Sequence, residues 1–233
     1  MPSAAPITLY SGPLSMFGAK AQIAALEKSL EVDLVMVPFQ MKTLYEPKHP
    51  EVLRVNPKRQ VPVLVHRLPG GDLEIFDSTQ IFEYLEDLVP APALWPTDIT
   101  ARARARRLEM ESDEVYFPHI IRLMGLQATP DDLAAVAARD GAAAFCARME
   151  ALLGDGRPWL AGPDFSYADI AFFMAQLFGD RMGAPVPADA ARLIAWRTRM
   201  TRRPAVRQVA GAMGRWLLGL NRPLPPWLQE ITR

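Results

Sequence analysis

The segment Val89-Pro90-Ala91-Pro92-Ala93-Leu94-Trp95-Pro96 holds three prolines in eight residues. Proline has no backbone N–H to donate, and its ring clashes with the preceding turn, so no helix runs through this stretch. The apolar pattern changes across it. Strand-like runs alternate with helical stripes before it, whereas no strand pattern follows it. The 233 residues therefore read as an α/β domain at 1–89, a linker at 90–96 and an all-helical domain at 97–233, enough chain to bury a sizeable core.

Within the first domain, Ile7 to Tyr10 reads as a short strand that Gly12 and Pro13 break. Met16, Ala19, Ile23, Leu26 and Leu30 then recur at steps of three and four, the stripe of an amphipathic helix, with Ser15 at the N-cap. Val32 to Phe39 is a dense apolar run and reads as a buried strand, parallel to the first across the helical crossover. Residues 40–58 are irregular with room for a short helix. Val61 to Val65 and Leu73 to Phe76 flank Pro69-Gly70-Gly71-Asp72, a hairpin signal. Ser78 then caps a helix whose inner face holds Ile81, Leu85 and Leu88. The order β-α-β followed by β-β-α is that of a thioredoxin-like domain.

Beyond the linker, helices are expected at about 98–127 and 131–153. The second opens at Thr129-Pro130-Asp131-Asp132, with a cap residue and proline at the first helical position, and Gly154, Gly156 and Pro158 end it. Ser166-Tyr167-Ala168-Asp169 is a capping box that opens a helix over Ile170 to Leu177. Two further helices follow Pro187 and Pro204.

Three local features point to a ligand. Val61-Pro62 leads directly into a strand, where proline belongs at the start or at a bend, and the bond is a candidate cis peptide. A cis bond would turn the backbone N–H and C=O of Val61 outward, free to pair with an extended peptide. Asp77-Ser78 puts a hydroxyl and free amides at a helix N-terminus, where carboxylates bind. Ser15 opens the first helix after the first strand. Together these describe a site for a small, acidic, extended peptide.

Composition narrows the rest. Lys and Arg number 26 against 26 Asp and Glu, for a formal net charge of zero, so no global basic field recruits nucleic acid. Arg102, Arg104, Arg106 and Arg107 read as a solvated helix face. Cys146 is the only cysteine; no internal disulfide or C-x-x-C motif can form, and its Ala-rich surroundings read as the helix interior of a buried thiol. His49, His66 and His119 are scattered, and no metal-ligand spacing or nucleotide-binding loop occurs. The N-terminal Met1 to Pro6 lacks the pattern of a leader, and no apolar run is long enough to span a membrane. A reducing cytoplasm is the expected location.

Four stretches, in order, resemble the glutathione S-transferase superfamily: Leu9-Tyr10-Ser11-Gly12-Pro13-Leu14-Ser15-Met16-Phe17, Asn56 to Leu64, Asp77-Ser78, and Trp159 through Ile170. The resemblance covers nearly the whole chain and is to serine-type members of the theta, phi and tau kind. It implies a thioredoxin-like domain followed by an all-α domain, a homodimer, and glutathione as co-substrate, without metal or nucleotide.

Residue by residue, the resemblance implies that Ser15 activates the glutathione thiol. A thiol ionises near ~8.5, and a hydroxyl donor with a helix N-terminus behind it lowers that value. Tyr10, where tyrosine-type relatives keep their phenol, and Ser11 in the same loop are rivals. No cysteine stands near position 15, which argues against thiol-disulfide chemistry. Val61, ahead of Pro62, should pair its backbone with the cysteinyl unit, with Gln60 approaching the same tripeptide. Ser78 should hold the γ-glutamyl carboxylate and Asp77 the ammonium. Plant-type relatives hold the glycine carboxylate with a His-Lys pair; here Lys48 matches the lysine, Pro47 replaces the histidine, and His49 stands one place later. A hydrophobic electrophile should meet Met110, Asp113, Tyr116 and Phe117, and the tail with Trp216 and Trp227 covers the pocket or pads the surface. The same half-site serves dehalogenation, ether cleavage and isomerisation, and the fold also serves as an interaction module or ligand carrier.

Overall fold

A computed structural model describes residues 6–233. The leader reading at positions 1–5 lies outside the described residues. The chain divides by packing into two units. One runs through Pro92 and takes in Arg207–Pro223 and Thr232–Arg233; the other is Ala93–Val206 with Leu224–Ile231.

The first unit is built on β1 (Ile7–Ser11), α1 (Met16–Glu27), β2 (Asp33–Met36), α2 (Pro50–Val55), β3 (Val63–His66), β4 (Leu73–Phe76) and α3 (Ser78–Leu88). The sheet order is β2-β1-β3-β4, with β2 parallel to β1 and the other pairs antiparallel. Side chains alternate across a strand, and both faces of this sheet are covered. Ile7, Leu9 and Leu64 pack with Ala21 and Ala25 of α1 and Ile81 and Leu85 of α3. Tyr10, Val63 and Val65 point the other way and pack with Val37 and with Val52 of α2. Burying each such Leu, Ile or Val contributes roughly 1.5–3 kcal/mol.

Three expectations change. The Val32–Phe39 run forms an edge strand, and Leu34 and Met36 are 43% and 47% exposed. Apolar density alone does not tell an edge strand from a central one. The N-cap of α3 is Asp77, not Ser78: its Oδ1 accepts from the amides of Thr79 at 3.0 Å and Gln80 at 3.4 Å. Leu88, on the expected inner face, is 40% exposed at the end of the helix.

Lys28 is buried at the C-cap of α1. Its ammonium meets Glu86 at 2.6 Å, the Val89 carbonyl at 2.7 Å and the Pro92 carbonyl at 3.0 Å. Three acceptors use its three donors, so the end of α3 and the proline stretch are tied to α1.

The second unit holds α4 (Ile99–Glu111), a π-helical turn at Ser112–Tyr116, α5 (Phe117–Gly125), α6 (Leu133–Leu152), α7 (Tyr167–Arg181) and α8 (Ala191–Arg202). Two final helices, α9 (Pro204–Gly219) and α10 (Pro226–Thr232), end the chain. The expected single helix over 98–127 is interrupted by the π turn, where the Phe117 amide reaches back to the Ser112 carbonyl. Pro118 follows with no N–H to give and a ring that excludes the carbonyl four residues back, so the wider turn absorbs the misfit. The expected start of α6 also moves: Thr129 through Asp132 form turns, and Asp132 caps the helix through the Ala134 amide at 2.7 Å.

The capping box at Ser166 forms as read and extends beyond its helix. Asp169 is fully buried and accepts from the Ser166 amide and hydroxyl, each at 3.0 Å, and from the Leu160 amide and Trp196 Nε1, each at 2.9 Å. Burial pushes its carboxyl up, and these four bonds pull against that shift. Asp169→Ala strands four buried donors at once. We expect it to cost about 3–5 kcal/mol, read as a lower midpoint in urea unfolding.

Candidate active site

The register of the sheet assembles the site. Tyr10 pairs with Val63 and Val63 with Phe76. The end of β1, the start of β3 and the end of β4 therefore lie side by side. The chain leaves β1 there toward Ser15, enters β3 there from Val61-Pro62, and leaves β4 there into Asp77-Ser78.

Ser15 is the N-cap of α1, as expected, and is buried. Its Oγ accepts from the Gly18 amide at 2.9 Å. A serine hydroxyl has one proton and two acceptor positions, so this cap leaves the proton available. Ser11 has no exposed surface, and its Oγ accepts from Gln22 Nε2 at 2.7 Å. Tyr10 is buried against His49, with ring centroids 5.1 Å apart. Burial, helped by the charge of Glu51, raises the Tyr10 phenol above its usual value, so it stays protonated.

Val61-Pro62 is a cis peptide, as the sequence suggested. Among the described residues, the main chain of Val61 forms no hydrogen bond. Gln60 is exposed, and its carbonyl accepts from Asn56 Nδ2 at 2.6 Å, while Asn56 Oδ1 accepts from the Lys58 amide at 2.8 Å. Asn56 is itself buried. It spans the loop Pro57–Gln60 and sets the direction from which the chain reaches Val61. The sequence reading gave it no role, although an asparagine bonding the backbone two residues on is a usual turn former.

Asp77 has a positive φ of 77°, a conformation uncommon outside glycine, asparagine and aspartate. Both of its capping bonds use Oδ1, and among the described residues Oδ2 has no hydrogen-bond partner. Ser78 is buried in the first turn of α3.

Lys48 and His49 diverge in role. His49 caps α2, its Nδ1 accepting from the Glu51 amide at 3.2 Å. The Lys48 ammonium lies 3.5 Å from Glu46 and 5.9 Å from the centre of the Tyr45 ring. Tyr45 in turn lies against the β1–α1 loop: a Cβ added at Gly12 would come within 2.3 Å of its ring.

The residues assigned to an electrophile fall in different surroundings. Met110 is 46% exposed near the end of α4, and Asp113 is half-buried in the π turn. Tyr116 is fully buried against Phe145 and Phe172, at 5.2 and 5.3 Å between ring centres, and Phe117 is buried against Phe178. Cys146 is buried beside Tyr116. Burial, with the charge of Asp180, pushes its thiol up to about 12, so it remains un-ionised. Trp216 stacks edge-on to Phe39, and Trp227 donates to Asp180 at 2.5 Å. Among the described residues no group of acids, histidines and cysteines could hold a metal ion, and no helix is long and apolar enough to cross a membrane.

This arrangement defines a class, and comparison with known proteins agrees with it. The family model for the glutathione S-transferase N-terminal domain matches residues 14–88, and that for the C-terminal domain matches 105–204. Glutathione S-transferase 2 of Saccharomyces cerevisiae is 30% identical over 214 residues, covering 86% of this chain and 88% of the relative. The chain belongs to the glutathione S-transferase family. The stringent starvation protein A homolog of Coxiella burnetii is 35% identical over 120 residues, a match that spans only 51% of this chain and 51% of that relative. A solved glutathione S-transferase of Methylobacillus flagellatus with gsh bound is 25% identical with a TM-score of 0.73, covering 87% of this chain and 98% of that one.

Asn56→Ala removes both bonds that shape the loop before Val61. We expect a stability loss of about 1–3 kcal/mol by thermal unfolding.

Proposed function

We propose that this chain is a glutathione transferase: it binds glutathione at the end of the sheet described above and activates its thiol for attack on a hydrophobic electrophile. The observation that carries the reading is Ser15. Its Oγ sits at the N-terminus of α1 with the hydroxyl proton uncommitted by the Gly18 cap, suited to donate to a sulfur. The thiol proton leaves to solvent, and the thiolate forms the new S–C bond. In a substitution the leaving group departs with the electron pair; in an addition that pair is protonated.

The other contacts follow from the groups gathered at the same end of the sheet. Val61, with its main chain unpaired among the described residues, takes the cysteinyl unit as one short strand pairing. Gln60 lies beside it. Ser78, in the first turn of α3, receives the γ-glutamyl carboxylate, and Asp77 Oδ2 receives the ammonium. Lys48 is the cation for the glycine carboxylate, since the Nδ1 of His49 is engaged in its cap. Met110 and Asp113 are the electrophile contacts we retain; Tyr116 and Phe117 support them from the core. The working form is a homodimer in the cytoplasm, checked for assembly by sedimentation at micromolar concentration.

The second reading is an interaction protein of the same fold, favoured by the similarity to the stringent starvation protein A homolog. Glutathione affinity followed by a conjugation panel of aryl halides, epoxides, enals, aryl ethers and isothiocyanates separates the two. Turnover supports the transferase, and absence of turnover on every class supports the interaction protein.

Asp77→Ala and Ser78→Ala each remove a contact made equally to ground and transition states, so we expect a higher KM for glutathione with kcat retained. Loss of a charge-assisted bond of about 1.5–3 kcal/mol corresponds to roughly a 10- to 150-fold change. Lys48→Ala should act in the same direction by less, because its charge already faces Glu46 at 3.5 Å. Ser15→Ala should do the reverse: KM held, kcat lowered at neutral pH, and the deficit shrinking as pH rises and thiolate forms unaided.

A further inference from the structure

Gly18 and Gln22 lie one turn apart on the same face of α1, and both meet the end of β1. The Gly18 amide donates to Ser15 Oγ at 2.9 Å. A Cβ added at Gly18 would stand 2.1 Å from Ser11 Oγ, 3.0 Å from Ser15 Oγ and 3.1 Å from Ser11 Cβ. The Ser11 hydroxyl thus fills the space that any side chain at position 18 would need. Gln22 Nε2 holds it there at 2.7 Å, with no exposed surface on Ser11. One helix face carries both the donor that fixes the Ser15 oxygen and the clasp that fixes the helix to the strand.

We propose that Gly18, Ser11 and Gln22 form a positioning device for Ser15. Ser11 is then not an alternative activator. It is the peg on which α1 is seated, Gln22 is its lock, and the missing side chain of Gly18 lets the helix close onto it. The position of the Ser15 oxygen relative to the end of β1 follows from that seating. The inference rests on the assignment of Ser15 as the thiol's hydrogen-bond donor.

The consequence is specific to thiol activation. An alanine at position 18 must drive Ser11 Oγ aside or lift the first turns of α1 from β1. Either movement shifts Ser15, while Val61, Asp77 and Ser78 on other elements keep their places. Glutathione should still bind, and its sulfur should be less ionised.

The experiment follows thiolate absorbance of the enzyme–glutathione complex across pH in five forms: wild type, Ser15→Ala, Gly18→Ala, Gly18→Ala combined with Ser11→Gly, and Gln22→Leu. We expect Gly18→Ala to raise the midpoint by about one pH unit, a tenfold loss of thiolate below it, with glutathione affinity retained. Adding Ser11→Gly vacates the contested space and should bring the midpoint back toward wild type. Gln22→Leu, which unlocks Ser11 without crowding it, should raise the midpoint by a smaller step. Should Gly18→Ala fail to fold, the double variant and Gln22→Leu still read the device. A shifted Ser15→Ala midpoint beside wild-type midpoints for Gly18→Ala and Gln22→Leu overturns this proposal alone, as does a double variant no closer to wild type than Gly18→Ala. A Ser15→Ala midpoint equal to wild type overturns the role of Ser15 and the device with it.

Discussion

The site depends on the pairing of β1 with β3 and of β3 with β4. Tyr10, Val63 and Phe76 stand in one row across the sheet. Side chains change face at every residue, so a slip of one place in either pairing would send Val63 and Val65 to the opposite face. Two-sided burial forbids such a slip: Leu64 is packed under α1 and α3, and Val63 and Val65 face α2. Packing of both faces fixes the register, and the register sets three chain breaks side by side. A ligand that needs a backbone partner, a hydroxyl and a helix N-terminus at once finds them because the core cannot be packed otherwise.

The second unit is held by a different device. Asp169 joins the start of α7, the Leu160 loop and Trp196 of α8 through one carboxylate. A buried carboxylate is costly unless its acceptor positions are filled, and here four donors meet it. Around it α7 is buried from Tyr167 to Gly179, with Phe172 against Trp196, Tyr116 and Phe145 and Phe173 against Trp196 and Trp227.

Much of this was legible in the sequence wherever a short-range rule sufficed. Ser15 as a cap, the cis Val61-Pro62 bond, the hairpin and the Ser166–Asp169 box each depend on a few adjacent residues. The failures share a cause. Whether Val32–Phe39 lies at an edge depends on strand order, which periodicity does not encode. Whether Asp77 or Ser78 caps α3 depends on the positive φ of Asp77, which the residue types alone leave open. The π turn comes from Pro118 acting on its own helix, and Pro118 stood within a stretch read as continuous. In the site, the roles of Asn56, Gln22 and Gly18 escaped because each acts on a partner through the fold; a glycine at the third position of a helix carries no warning that a serine from the preceding strand will occupy its side.

Magnitudes decide which part of the site can ionise a thiol. Both α1 and α3 begin at this end of the sheet; α1 carries no acid at its cap or in its first turn and presents partial positive charge, whereas the start of α3 is capped by the Asp77 carboxylate. A helix terminus stabilises an anion by typically 0.3–1 kcal/mol when solvated, less than the ~1.4 kcal/mol that one pKa unit represents. A thiol at about 8.5 would stay mostly protonated at neutral pH with that help alone. A hydrogen bond to a charged group contributes about 1.5–3 kcal/mol, which supplies one to two units. On the role proposed for Ser15, its single oxygen would outweigh the twelve-residue helix behind it, and α1 would act on the thiol more through where it holds that oxygen than through its dipole.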